Sequence, residues 1–454
     1  MDDRVDAIVM GMGPGGEELA GRLAQAGLSV IGIEERLVGG ECPYFACVPT
    51  KMMVRAAGLL EEARRVDGMA GAAVVTPDWS PVARRIRSDA TDDWDDRVAV
   101  ERFERKGGRF VRGSARFAAP NQVAVGDHVF TATRAIVINT GTEPLVPPLD
   151  GIRDVPYWTN RDVVKVTEVP ESLLVVGTGP VGVELAQVFN RFGTRVTVLE
   201  RRNRMLAREE PEACALLEEV FRREGITVHC GVPGRRLMVE NDGIGIELED
   251  GSMFAAQHVL LATGRRTNVG ALQLGRAGLD ENEPFIAVDE RLRTRVAGIW
   301  AIGDITGHGA FTHMSHYQAG IAAADILGQH GPAADYRAVP RVTFTDPEVG
   351  AVGMTEEQAR AARINVRTGV AHIPKTARGW IHKVGNDGVI KLVEDADRGV
   401  LVGATSVGPC GGEVLSMLAL AVHAEVPVNT LRTMIKAYPT FHRGVDDALA
   451  ELPM

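Results

Sequence analysis

Residues 39–51, GGECPYFACVPTK, hold two of the five cysteines in a chain of 454 residues, Cys42 and Cys47, five positions apart. Two thiols this close can act as a redox or nucleophilic pair, supply half of a metal site, or be unrelated. No cysteine or histidine companions at zinc spacing lie nearby, so no metal is expected. The amino terminus, MDDRVDAIVMG, has neither the basic region nor the apolar core of a signal peptide, and a cytoplasmic location is expected. In that compartment a close cysteine pair points to catalysis or metal binding before a structural staple.

Elements must position such a pair, and the chain announces them by repeating itself. DAIVMGMGPGGEELAGRLAQAGLSVIGIEE begins at Asp6 and SLLVVGTGPVGVELAQVFNRFGTRVTVLER at Ser172. Each is an apolar run, a G-x-G-x-x-G turn, a helical pattern, and a second apolar run ending in Glu. The glycines are Gly11, Gly13 and Gly16 in one copy and Gly177, Gly179 and Gly182 in the other; Glu34 and Glu200 each follow 23 positions after the first glycine. In a strand–turn–helix–strand setting the first glycine permits the turn, the second lets backbone approach a pyrophosphate, and the third lets helix pack on strand. The acid stands where a ribose diol needs an acceptor, and the helix amino terminus faces the phosphates. Two such folds imply two dinucleotides. AIVINTGTEP, HVLLATGRRTN and GIWAIGDITG add strands that end in Thr-Gly or Gly-Asp turns.

Bulk properties narrow the class. A chain of this length needs two to four domains. Its net charge of −10 disfavours nucleic acid and polybasic membrane partners, and it has no apolar run of about 18 residues to span a bilayer.

Taken in order, these motifs resemble the FAD-dependent pyridine nucleotide-disulfide oxidoreductases, a family that includes dihydrolipoamide dehydrogenase, glutathione reductase and mercuric reductase. PRVTFTDPEVGAVGMTE, from Pro340, is similar to the start of that family's dimerisation domain. The resemblance implies an α/β chain of two Rossmann-like dinucleotide-binding domains plus a carboxyl-terminal α+β dimerisation domain. FAD binding is expected from residues 1–147 and 266–333, NAD(P) binding from 148–265, and a homodimer interface from 334–454. It also implies a redox-active Cys42–Cys47 disulfide, with Cys42 exchanging with substrate and Cys47 near the flavin. Lys51 matches a lysine beside the flavin that pairs with Glu184. Further flavin contacts are expected from Gly40, Ala115, Thr140, Gly141, Gly303, Asp304, Thr312 and His313, with Gly264 joining the NAD(P) set.

Positions i and i+5 of a regular helix stand roughly 8.6 Å apart at Cα, past the usual disulfide limit of about 6.8 Å. The pair therefore cannot lie wholly inside one undistorted helix. Pro43 suits the first helical position, which would put Cys42 at the cap and Cys47 in the first turns, where the positive dipole end favours thiolate. The remaining cysteines, Cys214, Cys230 and Cys410, are isolated and expected to be buried or inert.

The chain departs from the family at its proton relay. Members that handle thiols carry H-P-T-x-x-E near the carboxyl terminus, whereas here AYPTFHRGVDDAL puts Tyr438 in the histidine's place and Arg443 in the glutamate's. A phenol near pKa 10 is a poor base at neutral pH. His442, one residue before the glutamate position, is the other candidate for proton transfer. CPYFAC also differs from the usual C-x-N-x-G-C; its Cys-Pro start and Ala-Cys end are similar to those of 2-ketopropyl-coenzyme M oxidoreductase/carboxylase. The expected substrate is thus an atypical disulfide or thiol-reactive small molecule. The alternatives are a flavin reductase of quinone or oxygen and a degenerate flavoprotein. Glu200 favours NADH and Arg201 favours NADPH, with the balance tilted slightly to NADH. SDATDDWDDRVAVERFERKGG reads as one helix closed by glycines.

Overall fold

The computed structural model describes residues 3–240, 243–267 and 269–453. Compactness divides the chain into two units. The first takes residues 1–50, 84–145 and 264–336; the second takes 51–83, 146–263 and 337–454.

In the first unit the apolar runs become a seven-stranded sheet. Arg4–Met10 pairs in parallel with Val30–Glu34 on one side and His128–Ile138 on the other, and Ile299–Ala301 adds to the latter. Arg109–Arg112 extends the sheet beside Val30–Glu34, while Ala115–Ala119 and Gln122–Val125 close it as an antiparallel ribbon. Strands buried on both faces need helices over them, and Pro14–Gln25 and Thr312–Ile326 supply two. Phe103 and Phe117 are fully buried in the two clusters that result.

The helix expected over residues 88–108 is interrupted. A π turn over Ile86–Ala90 is followed by a break, and the helix resumes only at Arg97–Arg105. Asp92, Asp93 and Trp94 adopt positive φ in the break. Aspartate competes with helix by bonding nearby backbone and side chains. Here Asp93 binds Arg87, and Asp96 accepts from the Val38 N–H at 2.7 Å and from Arg112 at 2.6 Å.

In the second unit the repeat builds a four-stranded parallel sheet from Thr227–Cys230, Arg195–Glu200, Ser172–Val176 and His258–Leu261. A separate five-stranded antiparallel sheet runs from Pro340 to Gly408, with the helix Gly411–His423 against it. A buried Lys391 binds Glu210, Glu212 and Glu356 at 2.9, 2.8 and 2.9 Å. Removing Lys391 would leave the buried Glu210 carboxylate without its cation, at a cost of about 3–5 kcal/mol. No helix among the described residues is long and apolar enough to cross a membrane.

Candidate active site

Both glycine turns meet the stereochemistry expected of them. Gly11 and Gly177 hold φ of +93° and +103°, and a Cβ there would stand 2.4 Å from the carbonyl oxygens of Asn139 and Ala262 respectively. Gly13 and Gly179 cap helices whose first residues are Pro14 and Pro180. A Cβ on Gly16 or Gly182 would meet the first glycine's own carbonyl oxygen at 2.1 or 2.0 Å. Among the described residues, no atom beyond its immediate chain neighbours and its own helix lies within 4 Å of a Cβ built on Gly179, which leaves the approach open to a phosphate.

The acids do more than the spacing revealed. Glu34 accepts from the Met12 and Arg36 N–H groups at 2.9 and 2.8 Å. Glu200 accepts from the N–H and hydroxyl of Thr178 at 3.0 and 2.6 Å and from the Arg202 N–H at 2.8 Å. Each carboxylate thus staples the residue between the first two glycines of its turn. Burial pushes the Glu34 carboxyl above the usual carboxylate range, against those two N–H groups. Arg201 is exposed.

Around the first turn, Gly40 approaches closely: its Cβ would stand 2.9 Å from Gly13 Cα. Asn139, which the sequence reading passed over, donates from Nδ2 to the Gly11 carbonyl at 3.1 Å. Its signal was a polar residue closing an apolar strand. Thr140 follows, and its Oγ1 is buried with no hydrogen-bond partner among the described residues. Gly141 turns at φ +62°. Ala115 opens its strand two residues after Gly113, whose N–H donates to the Glu34 carbonyl. Asp304 follows Gly303, accepts from Thr142 Oγ1 at 2.7 Å and has Arg265 at 4.0 Å. Burial pushes its carboxyl above the usual range, opposed by the Thr142 bond and the Arg265 charge. Arg265 itself donates to Thr142 Oγ1 and to the Thr142 carbonyl, both at 2.7 Å. An orphaned buried hydroxyl beside a glycine-lined helix terminus fits a flavin dinucleotide. Gly264 groups with this first unit, apart from the other nucleotide glycines.

The cysteine motif folds differently from the expected cap. Cys42 and Pro43 both lie inside a short helix, Glu41–Phe45, capped by Gly40. Pro43 is tolerated there because the first four N–H groups of a helix have no intrahelical partner. That helix ends at Ala46 (φ −134°, ψ −105°), and Cys47 opens the long helix Cys47–Arg64. The interruption, not a cap at Cys42, separates the two cysteines. Trp94, presented by the aspartate-rich break, donates from its indole to the Tyr44 carbonyl at 3.2 Å. Cys42 is half-buried and Cys47 exposed. Cys47 Sγ lies 3.5 Å from Thr312 Oγ1, at the start of the helix Thr312–Ile326, and His313 stacks on Phe311 with centroids 5.0 Å apart.

Lys51 Nζ pairs with Glu184 Oε2 at 2.5 Å, and Glu184 is buried. Phe344, unread as a site residue, donates its N–H to Glu184 Oε1 at 2.8 Å and places its ring 4.8 Å from Lys51 Nζ. Tyr438 is 72% exposed, and His442 is half-buried in the turn Phe441–Arg443. Arg443 pairs with Asp446, and a guanidinium, having no acceptor, cannot orient an imidazole as a carboxylate does. Burial pushes the Cys214 and Cys230 thiols up to about 11. Cys410 is exposed where burial was one expectation, because it caps the helix Gly411–His423; its thiol is nonetheless raised by packing.

Residues 5–324 match the model of the pyridine nucleotide-disulphide oxidoreductase family, and residues 339–449 match that family's dimerisation domain. The dihydrolipoyl dehydrogenase of Thermus scotoductus is 33% identical over 98% of this chain and 97% of its own. The mercuric reductase of Streptomyces lividans is 33% identical over 96% and 93%. A copper(II) complex of the HOCl-induced flavoprotein disulfide reductase RclA from Escherichia coli superposes with a TM-score of 0.87, at 26% identity over 98% of this chain and 99% of that one. With its motifs in family order and both family models matched along it, the chain belongs to the FAD-dependent pyridine nucleotide-disulfide oxidoreductases and is an enzyme of that type.

Proposed function

We propose that this enzyme uses NAD(P)H to reduce a small disulfide or another thiol-reactive acceptor, with Cys42 as the exchanging thiol and Cys47 as its resolving partner. The observation that carries the reading is the interruption at Ala46, which frees the two cysteines from the i, i+5 geometry of one helix. In the dithiol state, Cys42 as thiolate attacks the substrate sulfur and expels one thiolate, leaving a mixed disulfide. Cys47 then attacks the Cys42 sulfur, expels the second thiolate and closes the Cys42–Cys47 disulfide; two protons complete the two product thiols.

FAD, when bound, supplies the electron transfer from nicotinamide that returns this disulfide to two thiols. The residues proposed to hold it are Gly11, Gly13, Gly16, Glu34, Gly40, Ala115, Thr140, Gly141, Gly303, Asp304, Thr312 and His313. Gly177, Gly179, Gly182, Glu200, Arg201 and Gly264 are proposed to hold the nicotinamide nucleotide. Glu184, itself fixed by the Phe344 N–H, keeps Lys51 oriented as a fixed cation. The Glu200 carboxylate, pinned by three donors, supports NADH over NADPH. Tyr438 and His442 are the candidates for proton transfer, and the absence of the usual His-Glu pair makes the substrate atypical. A cytoplasmic homodimer completes the proposal.

The test is turnover of a panel of disulfide acceptors by the holoenzyme and by Cys42→Ala. Loss of about a thousandfold or more in the variant, with nucleotide oxidation still coupled to flavin reduction, supports the reading. Acceptor turnover that survives the change assigns the reaction to the flavin alone and contradicts it.

A further inference from the structure

We propose that the cleft between the helix Ala377–His382 and residues 438–443 is an anion-binding subsite that takes a carboxylate, phosphate or sulfonate group of the substrate. The assignment to substrate rests on the reading above. Arg378, Tyr438, Thr440, Arg443, Asp447 and Thr376 line the cleft. Two of these are engaged by backbone. Thr376 Oγ1 donates to the Ile373 carbonyl at 2.8 Å and accepts from the Gly379 N–H at 3.1 Å, and Thr440 Oγ1 donates to the Ala437 carbonyl at 2.8 Å.

Arg378 is different. It is half-buried, its guanidinium stands 5.5 Å from the Phe441 ring centroid, and among the described residues no carboxylate lies within ion-pair distance of it. The exposed Tyr438 hydroxyl likewise has no hydrogen-bond partner among the described residues. Asp446 is shared by Arg443 and the buried Lys436, and among the described residues Asp447 is the one carboxylate lining the cleft. Three cations against two carboxylates leave one positive charge in excess.

A guanidinium fork matches two oxygens of a planar or tetrahedral oxyanion. Held over an aromatic face, it loses less freedom on binding. The phenol then adds a neutral donor at the rim. Arginine in the glutamate's place and tyrosine in the histidine's thereby add charge recognition at the position of the usual proton relay.

The holoenzyme decides it, with para-carboxyphenyl disulfide and its neutral para-carboxamide as paired acceptors and benzoate as a calorimetric probe. The expected result is a kcat/KM ratio favouring the dianionic disulfide. In Arg378→Gln that ratio falls about tenfold, carried by KM, with partial rescue in Arg378→Lys. Benzoate affinity falls in parallel. Tyr438→Phe, at an exposed site that folding does not need, lowers the ratio by a smaller factor. Should neither disulfide be turned over while benzoate affinity still depends on Arg378, the subsite stands and the disulfide reading falls. A ratio and a benzoate affinity both indifferent to Arg378, or no benzoate binding to the unmodified enzyme, overturns the proposal.

Discussion

Asp304, proposed to hold the flavin nucleotide, would serve that ligand at the fold's expense. Burial raises its carboxyl above the usual carboxylate range, and the Thr142 hydroxyl and Arg265 only partly oppose this. A carboxyl with a raised pKa in the folded state holds its proton more tightly there. Its contribution favours folding below the unfolded pKa and is lost as pH rises through the folded one. At neutral pH the ionised group is therefore a net cost. Asp304→Asn in the apoprotein should melt higher at pH 8 than the parent, with the gain shrinking as pH falls into the acid range. FAD affinity should fall about tenfold, the loss of one charge-assisted bond. Calorimetric melts across that range, with flavin titrations, check both. An unchanged flavin affinity would remove Asp304 from the site.

At the scale of the element, the glycine turns separate two roles that a motif merges. Gly182 is needed by the fold, since a Cβ there would stand 2.0 Å from the Gly177 carbonyl oxygen, a backbone atom that cannot step aside. Gly179 has space for a methyl within its own unit. Gly182→Ala should lower the melting temperature and nucleotide affinity together. Gly179→Ala should keep its melting temperature and raise the KM for NADH about tenfold, because the methyl occupies the phosphate's approach. Melting curves beside steady-state kinetics distinguish the two.

These turns were legible in the sequence because each glycine answers a local stereochemical need, and the repeat displayed the pattern twice. The break at Ala46 was not legible: alanine is the best helix former, so only tertiary context interrupts the helix there. The aspartate run offered a usable cue, five polar turn formers within DATDDWDD, in a stretch that otherwise reads as one helix closed by glycines. Phe344 gave no cue, since its contribution to Glu184 is a backbone N–H that any residue carries.

For the whole molecule, the carboxyl-terminal region leaves large apolar side chains in water in the single chain: Ile435 is 98% exposed, Trp380 73% and Leu420 62%. Association of two copies is the expected cover for such a surface, in keeping with the matched dimerisation domain. Sedimentation equilibrium should return twice the chain mass at micromolar concentration; a monomer mass would contradict the homodimer.

The proposed relay turns on the sulfurs of Cys42 and Cys47, which nucleotide-dependent alkylation can count. Oxidised holoenzyme is treated anaerobically with NADH or NADPH, alkylated under denaturing conditions, and the peptide bearing positions 42 and 47 is weighed. The expected result is no label before nucleotide and two after it, with NADH acting at the lower concentration. Two labels before nucleotide, or none after it, would mean that Cys42 and Cys47 do not exchange electrons with the nicotinamide.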